Sequence, residues 1–226
     1  MKTCKEIRAE AWKRLLGGDG MRIFGSGFAL GLVSMVILMG IGLVCFSDLE
    51  TPITENAFAN LMLQLLGAVF GGIMSFGIAA ASLKKGAWGG FKCPISCGWL
   101  KFLSDFILGI LFVCLIVPGI WAYYVISMRW FVKAENPELG AMASIRKSSQ
   151  LMKGHKWQLF KLHCSYWASV CVVGLAVIAM ELAVALGSLG LAFALLPVVL
   201  ILIVGESIYL LLGNVVFYEQ LKGAVI

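Results

Sequence analysis

The sequence predicts an all-α integral membrane protein: a six-helix transmembrane bundle with two amphipathic surface helices on the cytoplasmic face. Three observations predict it. Of 226 residues, 61% are hydrophobic and 13% charged, with mean hydropathy +0.95, whereas a soluble domain carries about 45–50% apolar and about 25% charged residues. The apolar residues gather in runs near the roughly 20 residues that cross a bilayer as a helix. The 18 Lys and Arg lie between those runs so that a single threading collects them on one side. No Pro/Ser-rich linker marks a second domain, so residues 1–226 read as one membrane domain.

Residues 2–16 form the first surface helix. Cys4, Ile7, Ala11 and Leu15 share one face at helical spacing, with Lys5, Glu6, Glu10, Lys13 and Arg14 elsewhere. Gly17-Gly18-Asp19-Gly20 ends it. Residues 23–46 are the first span. Residues 47–56 make a short acidic loop with Asp48, Glu50 and Glu55. The second span, 60–83, is rich in glycine, and Gly67-x-x-x-Gly71 predicts close approach of another helix. A basic loop follows over 84–101.

Residues 102–132 as one straight helix would reach about 46 Å, too long for the hydrocarbon core. Pro118-Gly119 predicts a corner there, giving a hairpin of 102–117 and 120–132. Both arms are short, so the hairpin either crosses twice or is re-entrant; either way the chain returns to the side it left. The second surface helix is expected over 136–153, with Asn136 as its cap, Pro137 in its first turn and Gly154 as its stop. Leu139, Met142, Ile145, Ser149 and Met152 form its expected apolar face. Residues 159–186 and 191–217 are the last spans, joined at Gly187–Gly190.

Charge sets the orientation. With six crossings, every Lys and Arg falls on the side of the N-terminus, the 84–101 loop, the 133–161 segment and the C-terminus, or at its boundary. Basic residues mark the cytoplasmic side, so both termini are expected in the cytoplasm. Five crossings would send Lys133, Arg146, Lys147, Lys153, Lys156 and Lys161 outside, against both membrane potential and anionic lipid. No cleavable signal peptide is legible, since the N-terminus opens with a charged helix. Net charge is +6, but its placement follows the membrane, so no nucleic-acid partner is expected.

Two stretches are alike. Ile7-Arg8 and Ile145-Arg146 each begin a surface helix that ends in glycine, followed by Met21-Arg22-Ile23-Phe24 and Trp157-Gln158-Leu159-Phe160. Both units start on one side, so the repeat would be parallel, as occurs in transporters and in duplicated bundles.

The stretch from Ala143 to Phe160, ASIRKSSQLMKGHKWQLF, resembles the signature of a bacterial membrane family known as domain of unknown function 975. Val117-Pro118-Gly119-Ile120, Asn136-Pro137 and Phe217-Tyr218-Glu219-Gln220-Leu221 fit the same pattern. One departure is Gly205-Glu206, where the family tends toward Pro-Tyr. The resemblance implies the architecture above, the bacterial cytoplasmic membrane, and a relation to membrane domains of glycerophosphodiester phosphodiesterases. It implies no activity.

Among candidate functional residues, Glu206 lies near the middle of the last span, where a carboxylate is expensive. It serves either as an ion- or proton-linked group or as hydrogen-bonding glue, with Ser207, Tyr209 or Asn214 as neighbours. Glu181 lies nearer the outer end of its span. Asp105 and Arg129 sit at matching depth and are expected to pair across the hairpin. Arg146, Lys147, Lys153, Lys156 and Lys161 either bind anionic head groups or only mark topology. Trp99, Trp130, Trp157 and Trp167 read as interface anchors. Cys93 and Cys97 are two unpaired thiols, short of the four ligands of a zinc site, and His155 and His163 stand apart, so no metal or other cofactor is expected. No Ser-His-Asp order, HExxH or phosphate loop is present, and catalysis is not expected. The expected function is binding of membrane lipid or another membrane protein, with a small transporter or channel built on Glu206 as the alternative.

Overall fold

The computed structural model describes residues 2–46, 57–114 and 116–225. They are almost entirely helical, and no strand occurs among them. The acidic loop with Asp48, Glu50 and Glu55 lies outside the described residues. The chain forms two compact units, Met1–Phe24 with Trp157–Ile226, and Gly25–Lys156.

In the first unit, α1 (Cys4–Arg14) starts at a capping box. The Thr3 hydroxyl accepts from the Glu6 amide at 3.4 Å, and the Glu6 carboxylate accepts from the Thr3 amide at 2.7 Å. Helix α1 packs on α10 (Leu189–Val225) and buries Ile7 and Ala11. It leaves through a π-helical turn, Leu15–Asp19, where Gly18 takes φ +91°, a conformation that favours glycine. Helix α2 (Gly20–Phe46) follows. The span expected over 159–186 is two helices, α8 (Lys156–Ser165) and α9 (Trp167–Ala185), bent by 47°. Gly187 at φ +73° ends α9, and α9 packs on α10. At 37 residues, α10 is about 55 Å long, well beyond the expected 191–217.

In the second unit, α3 (Ala57–Ser82) is the central element, packed on α4 (Pro94–Cys114). Their backbones meet at Gly72 and Gly98. A Cβ on Gly72 would collide with the Cys97 carbonyl and lie 2.8 Å from the Gly98 amide, and one on Gly98 would lie 2.9 Å from the Val69 Cα. This corrects the expected contact at Gly67 and Gly71, since Gly67 faces open space and Gly71 meets only the Lys101 side chain. A 3-10 helix, Ala87–Lys92, links α3 to α4. Helix α4 begins at Pro94 rather than near 102, because proline at a first helical position loses no hydrogen bond that a helix would have made.

The hairpin forms, but its corner differs. Helix α5 (Ile116–Ile126) packs back on α4, so Pro118-Gly119 lies inside α5 and not at the corner. Pro118 then falls in the first turn of α5, where its missing N–H is harmless, and Gly119 lies against Phe112, whose ring would be 2.7 Å from an added Cβ. A turn at Ser127-Met128 divides the expected 120–132 helix into α5 and α6 (Arg129–Glu135).

The second surface helix is shorter than expected. Asn136 ends α6 instead of starting the next helix; its side-chain amide donates to the Val132 carbonyl at 3.3 Å. Helix α7 (Ala141–Leu151) starts from Gly140. Its buried side carries Ala141, Ser144, Ile145 and Ser148, with Met152 just beyond, while Met142 is exposed. The inward serines have acceptors: Ser144 donates to the Gly140 carbonyl at 3.1 Å, and Ser148 donates to the Val125 carbonyl of α5 at 3.1 Å. Leu100, Ile126, Ala141 and Ile145 form the core beneath. Gly154, at φ +83°, ends this segment as Gly18 ends α1.

Among the described residues, three stretches are long and apolar enough to cross a bilayer, Leu65–Ser82, Pro94–Val113 and Ala194–Gly223, and α8 with α9 makes a fourth if counted as one. Half of the first is buried inside the protein, but only 11% of the third. So much uncovered apolar helix fits an α-helical membrane protein.

Gly72→Leu should separate α3 from α4 and lower thermal stability in detergent, by about 1–3 kcal/mol as overpacking usually does. Gly67→Ala should leave the melting temperature nearly unchanged.

Candidate functional site

The second unit holds a cation that sequence reasoning read only as a charge. Lys133 is 1% exposed. Its ammonium donates to Ser96 Oγ at 2.8 Å, to the Pro137 carbonyl at 2.7 Å and to the Leu139 carbonyl. Three oxygens match its three donors, so Lys133 ties the 136–140 turn to α4. Beside it, a cleft of about 600 Å³ opens between α3, the 3-10 helix and α6, lined in part by Trp88, Lys92, Cys93, Pro137 and Glu138.

Arg129 and Asp105 do not pair directly. Asp105 binds Lys101 at 2.7 Å, one helical turn away on α4, a shorter reach than across the hairpin. Arg129 donates to the Ile126 carbonyl at 3.1 Å and lies 5.7 Å from the Trp130 ring centre, while its Nε is buried with no hydrogen-bond partner.

The outer side of α7 is basic. Arg146 and Lys147 are exposed, as is Lys153 just past the helix end, and none has a carboxylate partner among the described residues. Lys156 lays its ammonium 4.3 Å from the Trp121 ring centre, a cation–π contact. In the first unit, Lys161 is exposed and lies 5.8 Å from the Trp157 ring centre. Trp99, Trp157 and Trp167 are all exposed.

The first unit gathers polar side chains around Glu206. Its partner is Ser169 on α9, whose hydroxyl lies 2.9 Å from Glu206 Oε1 and shares its one proton with the Tyr166 carbonyl at 2.8 Å. The expected neighbours are engaged elsewhere. Ser207 donates back to Ile203 at 2.7 Å, Asn214 pairs with His163 at 2.9 Å, and the Tyr209 hydroxyl meets the Arg8 carbonyl at 3.5 Å. Ser207 follows Glu206 by about 100° around α10 and so points away from it. Tyr166 stacks edge-on against Tyr209 at 4.7 Å, is 2% exposed, and its hydroxyl has no hydrogen-bond partner. The Arg8 guanidinium donates to the Ser165 carbonyl. Glu181 is exposed on α9. Tyr166, Ser169 and Arg8 were missed because they come from other helices, and only the bend between α8 and α9 brings Tyr166 inward.

An ionic network ties α1 to the end of α10. Arg14 binds Glu10 at 2.8 Å and Glu219 at 2.7 Å, and Lys2 also binds Glu10. The hydrogen bond from Lys2, with help from Arg14, holds the Glu10 carboxyl below its ordinary 4.5. The hydrogen bonds that Arg14 donates to Glu219 raise the Arg14 guanidinium above its ordinary value, with Glu10 adding to the effect.

A depressed carboxyl stabilises the fold above its unfolded pKa and ceases to as pH falls through its folded value. The docking of α1 should therefore weaken on acidification from about pH 4.5 downward. Glu10→Gln should flatten that acid limb, read as melting temperature in detergent against pH.

No group of three or more His, Cys, Asp or Glu that could hold a metal occurs among the described residues. A family profile described as "Protein of unknown function (DUF975)" matches residues 97–225. No curated protein matches the chain, and no solved structure does.

Proposed function

The chain belongs to the DUF975 family, whose function is unknown, and we propose that it is a non-enzymatic, multi-pass membrane protein whose basic face binds anionic lipid. The observation that carries this is α7. Its buried side holds it to the protein while Arg146, Lys147 and Lys153 stand outward without carboxylate partners. Cations left unpaired beside apolar helices meet the head-group region, where each is worth about 1 kcal/mol near an anionic surface. A partner protein with an acidic surface is the other occupant of the same chemistry.

The same reading includes six crossings in the bacterial cytoplasmic membrane with both termini inside. It rests on the charge asymmetry of the loops and on the packing of α4 against α5. Kinship with the membrane domains of glycerophosphodiester phosphodiesterases belongs to it too, as something the family resemblance implies.

Replacing Arg146, Lys147 and Lys153 by Gln should reduce enrichment of anionic lipid around the reconstituted protein, at most about a hundredfold. Native mass spectrometry from mixed-lipid nanodiscs reads this, and unchanged enrichment rejects the reading. Membrane-impermeant labelling of a cysteine placed at 147 should fail in intact cells and succeed after lysis.

A second reading is favoured by Glu206, a carboxylate held by one serine hydroxyl beside the unpartnered Tyr166 hydroxyl. Here the protein is a small transporter or channel and Glu206 its ion- or proton-linked residue. Proteoliposomes carrying Glu206→Gln should then lose proton or cation flux that the parent protein supports; absence of flux in the parent removes this reading.

A further inference from the structure

Cys93 and Cys97 are brought together beside the cleft, which Cys93 lines. Their sulfurs lie 3.6 Å apart. Cys97 is fully buried in α4, whereas Cys93 is half-buried and lines the cleft. Cys93 stands just before α4, outside helical geometry at φ −135°, ψ 54°. Its carbonyl accepts the hydrogen bond of the Cys97 amide at 3.0 Å. A spacing of four residues at a helix start puts the Cα atoms about 6 Å apart, inside the range a disulfide bridges. Because Cys93 lies outside the helix, its side chain can swing without unwinding α4.

We propose that Cys93 and Cys97 form a reactive dithiol that closes to a disulfide by exchange with a low-molecular-weight disulfide entering the cleft. Cys93 is the attacking thiol and Cys97 the resolving one. The Cys93 thiolate attacks one sulfur of the small disulfide, whose S–S bond breaks, and one small thiolate leaves and takes up a proton. The Cys97 sulfur then attacks Cys93 in the mixed disulfide, and the second small thiol departs with the Cys97 proton. Two protein thiols are oxidised and one small disulfide is reduced to two thiols. The Lys133 ammonium is fixed on Ser96, the residue next to Cys97 in the chain. A metal site is the weaker fit, because no third His, Cys, Asp or Glu gathers with this pair among the described residues.

Closure draws Cys93 away from the Gly89 carbonyl, which its thiol contacts at 3.8 Å. The 3-10 helix carrying Trp88 then shifts, and the cleft changes shape.

The test uses the full chain in detergent, reduced and then exposed to glutathione disulfide. Intact mass should fall by two hydrogens, mapped to a Cys93–Cys97 bridge and reversed by dithiothreitol. Cys97→Ser, or Cys97→Ala should the serine variant misfold, should stall with glutathione retained on Cys93. Cys93→Ser should take up no glutathione at position 97. Oxidation should alter tryptophan fluorescence, and Trp88→Phe should abolish that change. A parent protein that keeps glutathione on Cys93 while Cys97 remains alkylatable overturns the proposal, as does full alkylation of both thiols after oxidation.

Discussion

Inside a bilayer no water is present to satisfy a peptide group, and this constraint organises the chain. Every N–H and C=O in the hydrocarbon must find a partner within the protein, which leaves helices as the local solution. Helix then becomes obligatory wherever the sequence is greasy, and interruptions fall where glycine, proline or a polar residue permits them. Gly18, Gly154 and Gly187, all at positive φ, are such permitted breaks. Lipid also relaxes the usual demand that apolar side chains be hidden. The long window in α10 is scarcely covered by protein, whereas α3, threaded close to α4 through Gly72 and Gly98, is half covered.

Burial likewise decides how polar side chains behave. Lys133 has no anionic partner among the described residues, yet its ammonium is surrounded by a serine hydroxyl and two carbonyls. Three neutral acceptors offset part of the desolvation that would otherwise expel a buried ammonium. Glu206 is less completely held. Its hydrogen bond comes from Ser169 across the α9–α10 contact, and the adjacent Tyr166 hydroxyl has no acceptor. Lys133 has the character of a structural tie, and Glu206 that of a group with capacity left over.

Much of this order is legible in the sequence because hydropathy and glycine placement are local signals. The positions of α2, α3 and α10 follow the apolar runs, and the stops at Gly18 and Gly154 follow the glycines. What escapes is set by contact between distant residues. Asn136-Pro137 carries the marks of a helix start, yet the tie from Lys133 and the bond from Asn136 to Val132 make it a helix end. The inward face of α7 is one register away from its most greasy face because Ser144 and Ser148 find carbonyl acceptors. The partner of Glu206 could not be read from its own helix, since Ser169 lies 37 positions earlier. Gly72 outranks Gly67 because only the arrival of α4 distinguishes them.

The docking of α1 on α10 has a consequence for synthesis. Residues 2–14 are tied to positions 219 and 220, so α1 rests on a helix made about 200 residues later. At about 5–20 residues per second, a ribosome needs about 10–40 s to supply the partner. Throughout that interval Ile7 and Ala11 have no protein to cover them. The nascent α1 must wait at the bilayer surface, or on a chaperone, until α10 has been made.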